Sequence, residues 1–301
     1  MARALPQPGF WLACGLAALA VGMQMVLATP LELLDMALRA QGREPWNLAQ
    51  DPLALGLINI VALGLAIGLG LLVNRVSPRV AFPLGKLRLS AWLALLPAGL
   101  GAAILLSEVD NLTRMALPPP PWLRELFEKL FLQTGRPFSM FFTLVIVAPV
   151  TEELLFRGLI LRGLIGRFPA RVALLVSSGL FALLHMNPWQ LLPTFALGWL
   201  FGWYYLRSGS LWPCLVGHAL NNFVFLLVMQ GAFGLTEPIR ADDLAVVEFQ
   251  PWWVNATGAA LLLAGLAIFR RAANATAAEG APPAGSPSLP PPPMLPPVLR
   301  G

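Results

Sequence analysis

Residues 138–161 read FSMFFTLVIVAPVTEELLFRGLIL. The run is apolar over a length that crosses a bilayer, since ~20 residues at ~1.5 Å rise span a hydrocarbon core of ~30 Å. Three charged residues nevertheless sit inside it: Glu152, Glu153 and Arg157. A charge at the bilayer centre costs at least ~2.5–3.5 kcal/mol on insertion scales. Residues of this kind need partners or a task.

The rest of the chain extends the same reading. Of 301 residues, 57% are hydrophobic and 12% charged, and the mean hydropathy is +0.71. A soluble domain carries about 25% charge. These figures exclude a soluble two-domain enzyme, a disordered chain, a coiled coil and a disulfide scaffold. The net charge of +5 reads as basic loops on one side of a membrane, not as a nucleic-acid surface. Cys14 and Cys214 both fall in apolar runs, so no disulfide framework is implied.

Eight segments approach spanning length: 9–29, 52–73, 89–106, 138–161, 170–186, 189–206, 211–231 and 251–269. The expected fold is an all-α polytopic membrane bundle of about eight transmembrane helices. Arg3 and the first apolar run loosely mimic a signal peptide. That run is long enough to span, so a retained helix is expected. Leu31, Leu34 and Leu38 predict a separate short amphipathic helix after it. Trp122 to Arg136, with Leu126, Leu130 and Phe131, predicts another. The organisation expected is N-terminal helices over 1–137, a core over 138–232, a last loop and helix over 233–271, and a Pro-rich disordered tail over 272–301. Gly64-x-x-x-Gly68 and Gly198-x-x-x-Gly202 are spacings that permit close helix contact.

Eight helices divide the Lys and Arg residues 13 against 7, or 12 against 7 without Arg157. The richer side includes both termini, which the positive-inside rule places in the cytoplasm.

Charge scarcity then isolates a site. Thirteen of the 15 acidic residues fall outside the apolar segments; Glu152 and Glu153 are the two left. The chain has two histidines, His185 and His218, and both lie in apolar segments. On a helix, Glu153 and Arg157 are i, i+4 and suited to an ion pair. Glu152 points about 100° away, free for another use. Phe181 and His185 share a face, as do His218 and Asn222.

A desolvated carboxylate is a competent general base for water. A neutral imidazole can hold that water or pass its proton. His with Asn can donate to a tetrahedral oxyanion. Two His and one Glu, here His185, His218 and Glu152, also form a catalytic zinc ligand set. A lone membrane His is often only an interhelical hydrogen-bond partner, and a proton-coupled transporter also places Glu and His at mid-membrane. Three patterns in order favour chemistry over either.

The three patterns resemble the CPBP family of intramembrane proteases, which includes the type II CAAX prenyl endopeptidase. They are Glu152-Glu153-x-x-x-Arg157, Phe181-x-x-x-His185 and His218-x-x-x-Asn222. The likeness covers roughly 138–232. It implies that Glu152 with His185 activates water, that His218 with Asn222 forms the oxyanion site, and that Glu153, Arg157 and Phe181 support them. It leaves open whether zinc is used. It implies a membrane protein or peptide as substrate, lipidated or CAAX-like, cleaved near the cytoplasmic face of a bacterial inner membrane. No nucleic-acid partner is expected. A catalytically idle scaffold of the same fold and a transporter are the alternatives. The zinc protease motif His-Glu-x-x-His is absent. No Asp lies in an expected helix, against an aspartyl type. Counted along straight helices, His218, Glu152 and His185 stand at ~10, ~15 and ~20 Å depth. They meet only if the fifth helix starts later or tilts. A cavity open to the cytoplasmic side is expected.

Overall fold

The computed structural model describes residues 8–131, 136–231 and 246–279. Among these, all regular structure is helical. Helix α1 spans Phe10–Ala40, α2 Pro52–Asn74, α3 Leu89–Ala116 and α4 Pro121–Phe131. A continuous helical rod over 137–165 forms α5. Then follow α6 (Ala170–Leu184), α7 (Leu191–Ser208), α8 (Trp212–Met229) and α9 (Trp252–Glu279).

Among the described residues, five helical segments are long and apolar enough to cross a membrane: Phe10–Ala40, Pro52–Asn74, Leu89–Ala116, Trp212–Met229 and Trp252–Thr276. The other three expected spans are the helices α5, α6 and α7. The winding of α5 alternates between short α and π pieces, none of spanning length by itself, and α6 is only 15 residues long. Pro193 does not interrupt α7, because the helix starts at Leu191 and places Pro193 in its first turn. A first-turn N–H has no helical partner to lose.

Three boundaries differ from expectation. The predicted break after residue 29 is absent, and α1 runs through Pro30 to Ala40. Proline removes one backbone bond, which membrane helices tolerate. The extension carries Asp35, whose Oδ1 accepts the Asn47 N–H at 3.0 Å. Likewise α3 continues past residue 106 and carries Asp110, so an acid does occur within a long apolar helix. Helix α9 persists to Glu279, through the first eight residues of the expected tail, with Ala272 and Ala273 buried. Glu279 pairs there with Arg88. The remaining tail, with its proline run at 290–293, lies outside the described residues, as do Arg3 and the loop carrying Arg240.

Helix α5 is the central rod, in contact with α2, α6, α7 and α8. Its Leu155, Phe156, Ile160 and Leu161 are completely buried. Asp51 caps α2, its Oδ1 accepting from the N–H groups of Leu53 and Ala54 at 3.0 Å each. Its carboxylate also pairs with Arg136, which ties the start of α5 to α2. Large apolar residues face outward along the rods, among them Leu57, Leu65 and Leu72 of α2 and Leu93 of α3. That outer surface suits hydrocarbon. Trp11 and Trp252 are exposed near helix starts, where interfacial aromatics belong.

Helix α9 lies against α3 through glycine. A Cβ on Gly101 would meet the Gly258 carbonyl oxygen and the Leu262 nitrogen at 2.4 Å, and one on Gly265 would meet the Ala98 nitrogen at 2.5 Å. Of the two glycine spacings noted in the sequence, Gly198 and Gly202 face α6, while Gly64 and Gly68 have nothing within 4 Å.

Candidate active site

The site begins with a local disturbance in α5. Residues Phe142–Val147 and Leu154–Leu161 wind as π-helix, on either side of an α-helical turn at Ala148–Glu153. Single π turns inside α-helices occur frequently at functional sites. Here the sequence supplies a reason for the first one. The Ala148 N–H bonds the Thr143 carbonyl, five residues back. In that register the Leu144 carbonyl would accept from residue 149, which is proline and has no N–H. Asn222 fills the gap from α8: its Nδ2 donates to the Leu144 oxygen at 2.9 Å.

One turn later the two glutamates diverge. Glu153 and Arg157 are both 0% exposed. Arg157 Nη1 donates to Glu153 Oε1 at 2.8 Å, and its Nη2 donates to the Gly198 carbonyl of α7 at 2.7 Å. Its guanidinium carbon lies 4.4 Å from the Phe181 ring centroid and 5.5 Å from that of Phe201. The expected ion pair thus forms, held between aromatic faces. Gly198 is required for this closeness, since a Cβ there would come within 3.1–3.2 Å of Phe181 and Ser178.

Glu153 has a second partner that its helical spacing did not reveal. The same Oε1 accepts His218 Nδ1 at 2.9 Å. The other nitrogen, Nε2, faces Glu152 Oε2 at 3.9 Å. That carboxylate oxygen is buried and accepts no hydrogen bond. The His218 ring stacks on Phe201, with centroids 5.2 Å apart and planes 20° apart.

His185 closes α6. The helix stops there because Met186 adopts a left-handed backbone with φ of +49°. Asn187 and Pro188 follow, and the Asn187 Oδ1 accepts the Trp189 N–H at 3.1 Å. His185 Nδ1 lies 3.1 Å from the Phe181 carbonyl oxygen. A carbonyl can only accept, so Nδ1 carries the hydrogen and Nε2 is left as an acceptor. The Phe181 ring meets both imidazoles edge-on, His185 at 5.4 Å and His218 at 5.7 Å between centroids. This shared ring brings together histidines that straight-helix counting places at different depths.

A catalytic zinc needs about three protein ligands. Among the described residues, no group of three or more His, Cys, Asp or Glu side chains is placed to hold a metal ion. Glu152, His185 and His218 therefore do not assemble as the zinc set that their residue types allow. His218 Nδ1 is taken by Glu153.

The structure thus gathers Glu152, Glu153, Arg157, Phe181 and His218 into one cluster, places His185 on the Phe181 ring, and sets Asn222 on the Leu144 carbonyl, about two turns along α5 from Glu152. Sequence reasoning missed Phe201 and the Leu144 carbonyl, and singled out Gly198 only for its helix-contact spacing. Phe201 is three residues from Gly198, on the face marked by the Gly198-Gly202 spacing, and that was its available signal.

Residues 134–224 match the family described as Type II CAAX prenyl endopeptidase Rce1-like. This stretch holds all three motifs. Over this stretch the chain is similar to that family. Two curated relatives align with the chain. The "Putative membrane peptidase YdiL" of Bacillus subtilis (strain 168) is 33% identical over 95 residues, 32% of this chain and 36% of the relative. The "UPF0177 protein YxdF" of Lactococcus lactis subsp. lactis (strain IL1403) is 35% identical over 82 residues, 27% of this chain and 45% of the relative. The aligned stretch spans less than half the length of either relative. No solved structure matches the chain. The matched stretch runs from the start of α5 into α8, so α1 to α3 and α9 are packed around it without being part of the match.

Proposed function

We propose that this protein is an intramembrane endopeptidase of the CPBP family that hydrolyses a peptide bond of a membrane-associated or lipidated protein near the cytoplasmic face. The observation that carries this reading is Glu152 Oε2: buried, without a hydrogen bond, and 3.9 Å from an imidazole nitrogen whose ring is already fixed. An unsatisfied buried carboxylate is costly unless it has a task. Glu152 takes a proton from the attacking water. His185 offers an unprotonated Nε2 on the half-buried side of the cluster, where it can accept from water or substrate. Asn222 uses one Nδ2 hydrogen on Leu144 and keeps a second for the developing oxyanion. No step requires a metal ion. The surrounding apolar bundle excludes bulk water, which strengthens each of these interactions.

The exposed apolar rods support a multi-pass membrane protein. The basic-residue asymmetry supports cytoplasmic termini, which cysteine labelling at residues 8 and 279 in sealed vesicles would check.

The test is cleavage by purified protein of a farnesylated CAAX peptide and of an unmodified transmembrane peptide. Glu152→Gln keeps the size and removes the base. A rate loss of ~10²–10⁴-fold in a folded variant is expected for a general base. Full activity in Glu152→Gln would overturn the reading. Comparison of new protein termini in wild-type and Glu152→Gln membranes identifies the substrate.

A further inference from the structure

We infer that Glu153 is a positioning residue that fixes the tautomer of His218. His218 Nε2 and Glu152 Oε2 then stand opposite each other as two acceptors, bridged by the two hydrogens of the attacking water. This deepens the endopeptidase reading and rests on it.

The argument is one of donors and acceptors. Glu153 is ionised, because Arg157 donates to its Oε1 at 2.8 Å and both groups are fully buried. An ionised carboxylate only accepts. His218 Nδ1, 2.9 Å from the same oxygen, must therefore carry the ring hydrogen. In the neutral ring, Nε2 then has a lone pair and no hydrogen.

That lone pair faces Glu152 Oε2 at 3.9 Å. Two acceptors at this separation are too far apart for a direct hydrogen bond, and a bridging water is the ordinary solution across such a gap. One water molecule has two hydrogens, one for each acceptor. Its oxygen lone pairs are then turned away from both, toward a substrate. The ring cannot rotate freely to defeat this arrangement. Phe201 stacks on it at 5.2 Å and 20°, and Phe181 meets its edge at 5.7 Å. Glu153 in turn cannot swing away, because Arg157 is anchored to the Gly198 carbonyl at 2.7 Å.

The step balances. The water oxygen bonds to the scissile carbonyl carbon while one water proton passes to Glu152. The carbonyl electron pair moves onto its oxygen. When that pair returns, the C–N bond breaks and the leaving nitrogen takes the proton from Glu152. The second water hydrogen stays on the new carboxyl group, held until then by His218 Nε2. In this scheme His218 is an acceptor that orients water and not a donor to the oxyanion, a role left to Asn222.

The chain's two histidines make the tautomer measurable. In His185→Gln protein labelled with [15N]histidine, one imidazole remains. Its NMR spectrum is expected to show the Nδ1–H form in about tenfold or greater excess, the ratio of a clear hydrogen-bond preference. Adding Glu153→Gln, which weakens the acceptor, moves the ratio toward unity; a merely structural Glu153 would leave it unchanged. If His185→Gln fails to fold, wild-type protein serves, with the His185 signals assigned from His218→Gln. A predominant Nε2–H form would overturn the inference. Wild-type protein that cleaves neither peptide while His218 holds the Nδ1–H form would overturn the endopeptidase reading and leave the tautomer intact, whereas active wild-type protein with His218 in the Nε2–H form overturns only the inference.

Discussion

Glu153 and His218 lie 65 residues apart in the chain and 2.9 Å apart in space. The bond joins the central rod α5 to α8 and makes one carboxylate oxygen serve both a guanidinium and an imidazole. Removing Glu153 leaves His218 Nδ1 without its acceptor and Arg157 with the Gly198 carbonyl alone.

Arg157→Lys tests that dependence. Lysine keeps the charge but cannot reproduce the fork that reaches Glu153 and the Gly198 carbonyl together. Breaking a buried pair costs ~3–5 kcal/mol. Unfolding of the purified variant in detergent should show a loss of that order. A variant as stable as wild type would mean the pair contributes little.

Asn222→Asp tests the patch on the π turn. The aspartate has the same shape but no hydrogen for the Leu144 carbonyl, so two acceptors meet. A buried acceptor left unsatisfied costs ~1–3 kcal/mol. Reduced thermal stability should accompany reduced cleavage. Loss of cleavage at unchanged stability would indicate that Asn222 acts on substrate alone.

Gly101→Val tests the α3–α9 contact. Its Cβ would lie 2.4 Å from the backbone of α9, with no flexible side chain able to yield. Overpacking costs typically ~1–3 kcal/mol, and backbone contact this close puts the expected loss at the upper end. Gly64→Ala is the control, because nothing lies within 4 Å of that site. Melting curves of the two variants should separate clearly.

Glu108→Leu tests a polar staple at the far end of α3. Glu108 Oε1 accepts the Gln250 N–H at 2.7 Å and Asn255 Nδ2 at 2.8 Å, and its Oε2 accepts Asn111 Nδ2 at 2.9 Å. These bonds hold the approach to α9. Hydrogen bonds to a charged group contribute ~1.5–3 kcal/mol each. Amide exchange over residues 247–250 should therefore accelerate by about tenfold or more, read by mass spectrometry, while exchange in α5 stays as it was.

The parts of this molecule that the sequence disclosed follow from charge scarcity and helical spacing. Glu152, Glu153, Arg157, His185 and His218 stand out because a bilayer makes ionisable residues expensive. The Glu153–Arg157 pair follows from i, i+4 geometry. What stayed hidden depends on contacts between helices. Nothing local says that Glu153 also receives His218, or that Phe201 lies under that imidazole. The glycines show the same limit. Gly64 and Gly68 have the spacing of a helix contact and make none, while Gly101, Gly258 and Gly265 make the closest backbone approach between α3 and α9. Spacing identifies a face, and only the fold identifies what meets it. The continuity of α1 through Pro30 was hidden for a different reason: a missing backbone bond in a long apolar helix is too small a cost to end it.

The π turn at Phe142–Val147 carries one further consequence. A π turn holds one residue more than the α turn it replaces, and its wider winding absorbs that residue without rotating the helix that follows. Deleting one residue within Phe142–Val147 would therefore restore α-helical winding and leave Glu152 and Glu153 facing as they do now. Consecutive residues on an α-helix are ~100° apart around the axis, so the same deletion in the α-helical turn at Ala148–Glu153, ahead of the glutamates, would turn the rest of the rod by that angle. Glu153 would then face the direction now held by Glu152, presenting a tethered carboxylate in place of the free one. The two adjacent glutamates are chemically identical, and what distinguishes base from anchor in this chain is their angular register in the rod.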